Sequence, residues 1–176
     1  RVVGMIDIGS NSDTFNYRIG FRNSYDKSMS VAFVGGTSVM ICSNGVIIGE
    51  SKFIRKHTGS VNQELTEKIQ ETIGGLDESL RTCEQRAERM KNIELDPTAT
   101  AELCGRLFME QKLITSSQLN IIKKQLENPD HEEFADPNLW SVYNHTTHAL
   151  KKAPPENYIS KYHDLDQFIS NEYKLQ

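Results

Sequence analysis

Basic and aromatic side chains cluster in the first third of the 176-residue chain, where together they could bind a nucleic-acid strand. Lysine and arginine neutralise phosphates, and aromatic rings stack on unpaired bases, each stacked base contributing about 1–3 kcal/mol. Arg18 and Arg22 share one face of a predicted strand. The candidate contact residues are Arg18, Phe21, Arg22, Tyr25, Lys27, Lys52, Arg55, Lys56 and His57.

The same cations have a second interpretation. Lysine and arginine on the edge of a sheet commonly prevent edge-to-edge pairing, which keeps a sheet protein monomeric. Both interpretations stay open at the level of the sequence.

The charge is divided unevenly along the chain. The 20 Lys and Arg stand against 24 Asp and Glu, a net charge of -4. Residues 1–59 carry seven basic and four acidic side chains, net +3, and residues 60–176 carry thirteen and twenty, net -7. The total excludes a globally basic nucleic-acid coat, but it permits a local basic patch.

Residues 6–12 resemble the first phosphate loop of actin-like ATPases and exopolyphosphatases, with Asp7 and Ser10 as the chemical groups. That fold needs a second glycine-rich loop and two large lobes. Gly35-Gly36 lacks the preceding aspartate, and one domain-sized chain is too short for two such lobes. We therefore interpret the segment as a turn between two strands.

Other reactive side chains lack companions. His145 and His148 lie three residues apart on a predicted helix, but zinc sites usually need three or four protein ligands. Cys42 lies in an apolar strand and is interpreted as a core residue. There is no nucleophile elbow or paired-carboxylate signature. We expect no catalytic residue, no metal, no cofactor and no enzymatic activity.

The first 57 residues predict an antiparallel meander of five or six strands. Two apolar runs are separated by Gly35-Gly36, and Asn44-Gly45 is the strongest hairpin signal in the chain. The predicted strands cover residues 1–8, 15–22, 31–34, 38–42, 46–48 and 52–57.

A helical period begins after His57. Ser60 and Gln63 stand at capping-box spacing, and a long amphipathic helix follows, with Gly74-Gly75 weakening it by about 1 kcal/mol per glycine. Its apolar stripe over residues 65–90 consists of Leu65, Ile69, Ile73, Leu76, Leu80, Cys83, Ala87 and Met90.

Three further helix starts and a final amphipathic stretch complete the pattern. Asp96-Pro97 opens a second helix, Thr115 with Gln118 a third, and Asp136-Pro137 a fourth that Pro154-Pro155 ends. Residues 158–169 predict a fifth helix.

Strands followed by helices predict a single α+β domain over residues 1–176, with a meander at 1–59 and a helical layer at 60–176 packed on one sheet face. The chain opens on Arg1 inside a strand, so we expect an N-terminal portion to precede it. Three widely spaced cysteines and the lack of a long apolar run predict reduced thiols, no membrane contact and a cytoplasmic location.

Four ordered strings between residues ~18 and ~150 resemble the domain-of-unknown-function family of phage/plasmid-like proteins. The resemblance implies a role in DNA metabolism or host takeover, and the family places glycine where Lys27 stands. The meander and long helix are also similar in topology to single-strand annealing proteins of phages. The strings are NSYDKS at 23–28, VMICSNGV at 39–46, RKHTG at 55–59 and NLWSVYN at 138–144.

The leading hypothesis is a non-enzymatic phage- or plasmid-type protein that binds single-stranded DNA on its basic sheet, in a recombination or annealing-like role. The rival is an interaction module that inhibits a host factor or forms a homo-oligomer through the stripe at residues 65–90. A third interpretation, ATP binding or hydrolysis, rests on Asp7, Gly9 and Ser10 alone.

Overall fold

An antiparallel sheet opens the computed structural model, which describes residues 1–40, 48–57, 59–152 and 158–175. Its strands follow one another in space as in sequence, β1-β2-β3-β4, and each pairs antiparallel with the next. This confirms the predicted α+β class with an N-terminal meander. The strands are β1 (Val2–Ile8), β2 (Phe15–Asn23), β3 (Val31–Val39) and β4 (Ile48–Arg55).

β3 continues through the two glycines that the sequence marks as a break, although its pairing with β4 shifts register between Gly35 and Thr37. The prediction of separate strands at 31–34 and 38–42 is wrong, and the described residues form four strands rather than five or six. A Cβ at Gly35 would lie 2.2 Å from Cγ2 of Thr72, so this glycine admits a helix rather than a turn. Asn44-Gly45 and Cys42 lie outside the described residues.

The long helix is divided in two. α1 (Val61–Gly74) ends at Gly75, and α2 (Leu76–Lys91) follows directly. The Ser60 capping box does not form, because the Ser60 hydroxyl donates to Glu64 Oε1 at 2.6 Å and makes no bond to the helix backbone. Side-chain pairing thus replaces the predicted cap.

The remaining helix starts agree with their caps except one. Asp96 accepts from the Ala99 N–H at 2.7 Å, and Thr115 and Gln118 form the predicted capping box. The fourth helix begins later than Asp136-Pro137 predicts, because Asn138 is its cap. These helices are α3 (Pro97–Gly105), continued by a π-helix (Arg106–Glu110), α4 (Ser116–Glu127), α5 (Leu139–Leu150) and α6 (Tyr158–Glu172), with a short 3-10 helix at Glu132–Phe134.

The chain divides into two compact units, Arg1–Glu84 and Gln85–Gln176. In the first, β3 is buried along its whole length, and α1 packs on β3 and β4. In the second, α5 is almost wholly buried and packs against α4 and α6. Arg86 ties the end of α2 to α6 through a hydrogen bond of 2.7 Å to Asp166. Within the described residues, no helix is long and apolar enough to span a membrane.

The close approach of α1 to β3 predicts a sharp difference between two glycines. Gly35→Ala should lower the free energy of unfolding by about 1–3 kcal/mol, because the new methyl group overlaps Thr72. Gly74→Ala is the matched control, since its Cβ meets nothing within 4 Å and alanine favours helix by about 1 kcal/mol. Urea unfolding of both variants measures this, and a neutral Gly35→Ala would contradict the packing.

Candidate nucleic-acid interface

One end of the sheet gathers most of the predicted contact residues. β2 ends there opposite the start of β1, with Val2 paired to Asn23, and β4 ends opposite the start of β3, with Val31 paired to Arg55. The antiparallel meander therefore brings together segments that lie about thirty residues apart. We call this region the basic end, defined as Arg22, Tyr25, Lys27, Arg55, Lys56 and His57.

A tightly bonded turn between β2 and β3 holds the aromatic member of the basic end. The Ser24 hydroxyl accepts from the Met29 N–H at 2.9 Å, and Asp26 accepts from the Ser28 hydroxyl at 2.6 Å. Lys27 adopts a left-handed φ of 57°. This arrangement leaves the Tyr25 side chain fully exposed to solvent.

Polar neighbours orient the cations of the basic end. Arg22 Nη2 donates to the Ser30 hydroxyl at 3.0 Å, and His57 Nε2 lies 3.0 Å from the Met29 carbonyl oxygen. Arg55 Nε lies 3.1 Å from Glu64 Oε2, with both side chains substantially exposed. Because an exposed ion pair contributes little in water, a phosphate can compete for Arg55.

Two carboxylates offset part of this positive charge. Hydrogen bonds from the side chain and the backbone N–H of Ser28 lower the pKa of Asp26 to about 2. A hydrogen bond from Ser60, and then Arg55, lowers the pKa of Glu64. Both acids are ionised at neutral pH, so four Lys and Arg of the basic end face two negative charges.

Other members of the predicted set lie elsewhere in the sheet. Arg18 faces Asp7 across the β1–β2 pair, is nine-tenths buried, and donates from Nη2 to Oδ2 at 2.7 Å. Its hydrogen bond is the main cause of the lowered pKa of Asp7. Lys52 is half-buried on β4, the last strand of the sheet, where it pairs with Val34. These two cations lie midway along their strands rather than at the end of the sheet.

The aromatic Phe21 lies on the sheet face opposite Arg18 and Arg22. A Cβ at Gly4 would lie 2.6 Å from the ring of Phe21, which therefore covers the β1 backbone. α1 packs on this same face, where Ser51 contacts Thr72. Tyr17 also donates to Asp77, in the first turn of α2, at 2.5 Å. Of the two predicted stacking residues, Tyr25 is the exposed one.

The phosphate-loop segment begins inside β1 and continues into the connection with β2. Its Asp7 is held by Arg18, and the Ser10 hydroxyl donates to the Phe15 carbonyl oxygen. Both chemical groups of the motif thus bond within the hairpin. The Asp7–Arg18 pair is a contact that sequence reasoning missed.

The two histidines of α5 have different surroundings. His145 is buried, and its Nε2 lies 3.1 Å from the Phe134 carbonyl oxygen. His148 Nε2 lies 3.9 Å from Asp130 Oδ2. Within the described residues, no group of three or more His, Cys, Asp or Glu side chains is placed to hold a metal ion.

A family model described as a domain of unknown function (DUF932) matches residues 1–168. The chain belongs to the DUF932 family. The match takes in the whole sheet and reaches Phe168 in α6 of this DUF932 domain. No curated protein and no solved structure matches the chain. The family match therefore establishes which domain this is and which residues it covers. A phage or plasmid origin stays a prediction.

Burial of His145 predicts an acid-sensitive DUF932 domain. Desolvation lowers the pKa of His145 from 6.5 to about 4 in the folded protein. The unfolded chain therefore binds the proton first, so this contribution to stability is complete above pH 6.5 and is lost as the pH falls toward 4.

The measurement is an NMR titration of the imidazole resonances, with His145→Gln assigning the signal. We expect the His145 ring to stay neutral at pH 5, and urea unfolding to show a smaller loss of stability between pH 7 and about 4.5 in the variant. Titration of His145 near 6.5 would contradict the burial.

Proposed function

We propose that this DUF932-family protein binds single-stranded DNA at the basic end of its sheet. The observation that carries the proposal is the fully exposed Tyr25, in a bonded turn beside Lys27 and close to the cations that end β2 and β4. An unpaired base offers its whole face to such a ring, whereas a base within a duplex is covered by its stacked neighbours, which favours a single strand over a duplex.

The spacing of the cations fits a strand rather than one isolated phosphate. Neighbouring strands lie about 4.8 Å apart, so the ends of β2 and β4 are separated by about 10 Å. Arg22 and Arg55 lie on opposite faces of the sheet, because they pair with adjacent residues of β3. A backbone that crosses the end of the sheet would therefore meet them at different points. This geometry supports sequence-tolerant binding through phosphates, with Tyr25 holding a base.

The cellular setting belongs to the same proposal. We infer a non-enzymatic phage- or plasmid-type protein that acts in the cytoplasm of a bacterial host, with a recombination or annealing-like role. The rival interaction surface at residues 65–90 has less support, because Leu80, Cys83, Ala87 and Met90 of its α2 half are buried.

The first test is a salt titration of DNA affinity. Fluorescence anisotropy with a labelled oligothymidylate should show binding that weakens with salt, because each phosphate contact contributes about -0.7 to the slope of log K against log salt. The double variant Arg55→Ala with Lys56→Ala should reduce the magnitude of this slope by about 1.4 if both cations contact phosphates.

The control removes equal charge from a helix. Lys123→Ala with Lys124→Ala alters two adjacent exposed lysines of α4 and should leave the slope unchanged. Absence of binding at low salt, or equal slopes for the two double variants, would refute the proposal.

The second test isolates base stacking. Tyr25→Ala should weaken oligothymidylate binding by about 1–3 kcal/mol, whereas Tyr25→Phe keeps the ring and should bind as the wild type does. Because Tyr25 is fully exposed, neither change should affect the unfolding midpoint. Equal affinities for the alanine and phenylalanine variants would remove stacking from the proposal.

A further inference from the structure

The outer edge of β1 combines two features that rarely occur together on an exposed strand. β1 is the first strand of the sheet order, and no described residue pairs with its free side. Its apolar side chains are exposed on both faces: Val2, Val3, Met5, Ile6 and Ile8 are 57, 42, 37, 51 and 41% exposed. Sheet edges are usually protected by charges, proline or bulges. An unprotected apolar edge has unpaired backbone N–H and C=O groups with which a further strand can pair.

We propose that β1 pairs with β1 of a second copy of this chain, antiparallel and about a two-fold axis at Gly4. Closed two-fold symmetry requires antiparallel pairing, and an axis normal to the sheet keeps each face continuous. This inference does not depend on nucleic-acid binding.

The sequence of β1 is self-complementary in this register. Val2 faces Ile6 of the partner subunit, Val3 faces the partner's Met5, and Arg1 faces the partner's Asp7. Apolar residues meet apolar residues, and each cation meets an anion. Cross-strand pairs of both kinds stabilise a sheet, whereas a mismatched charge does not.

Shifting the axis by one residue pair in either direction destroys this match. An axis at Val3 places Arg1 opposite Met5, and an axis at Met5 places Asp7 opposite Val3. Both alternatives leave a charged side chain against an apolar one. A slip of the pairing by one residue, rather than by a residue pair, would place the side chains of one strand opposite those on the other face of its partner. The register centred on Gly4 is therefore the favoured one.

The two charged residues can take part without losing their internal contacts. Arg1 Nε donates to the Ser28 hydroxyl at 3.1 Å, and the other N–H groups of its guanidinium can donate to a carboxylate of the partner subunit. The Asp7 carboxylate accepts from Arg18, yet its side chain is half exposed, and a carboxylate has about four acceptor positions. A seven-residue strand is small beside standard interfaces, so we expect a concentration-dependent equilibrium between monomer and dimer.

Sedimentation velocity over a dilution series tests the dimer. The wild type should dimerise reversibly, and Ile6→Lys should raise the dimer dissociation constant at least about tenfold, since two lysines would enter the apolar seam. Met109→Lys, at an exposed position of the π-helix, is the matched control and should dimerise as the wild type does. Val2→Lys provides the same test if Ile6→Lys does not fold.

A second pair of variants tests the register. Arg1→Glu places two like-charged pairs across the axis and should weaken the dimer, whereas Arg1→Lys should preserve it. A wild type that stays monomeric at every concentration, or a dimer indifferent to the lysine variants, would overturn the proposal. A dimer that Arg1→Glu leaves unchanged would overturn the register centred on Gly4.

Discussion

The contact between Gly35 and Thr72 is the constraint on which the first unit depends. The absence of a side chain at Gly35 lets α1 approach the centre of β3, and Thr72 also contacts Ser51 on β4. This approach sets the position of α1 along the sheet. The start of α1 then lies beside the end of β4, where Glu64 meets Arg55. The neighbours of the basic end are therefore fixed by a packing contact in the middle of the sheet.

Much of this fold could be predicted because the signals are local. The period of two in β2 and the caps at Asp96 and Thr115 each depend on a few neighbouring residues. The errors have the opposite origin. Gly35-Gly36 has the composition of a turn, but a helix distant in sequence determines its role. The Ser60 hydroxyl has the spacing of a cap, but it bonds to the Glu64 side chain instead.

The candidate site shows the same division between local and distant causes. The exposure of Tyr25 follows from its position in a short turn, which the sequence predicts. The ion pair of Arg18 with Asp7 depends on the β1–β2 register, which places the two residues opposite each other. Six residues separate these strands, and a connection of that length does not set a register through turn type alone. Arg18 was therefore predicted as a nucleic-acid contact because of its charge, although in the fold it is paired with Asp7.

The positive charge of the sheet is offset when α1 and the first part of α2 are counted with it. The net +3 of residues 1–59 becomes -1 for the unit Arg1–Glu84, with nine basic and ten acidic side chains. The added acids are not spread evenly. Asp77 bonds to Tyr17 on the face that α1 covers, whereas Arg22 lies on the opposite face. Because screening in salt limits these fields to about 10 Å, the excess of four Lys and Arg over two carboxylates at the basic end acts locally within a unit that is nearly neutral.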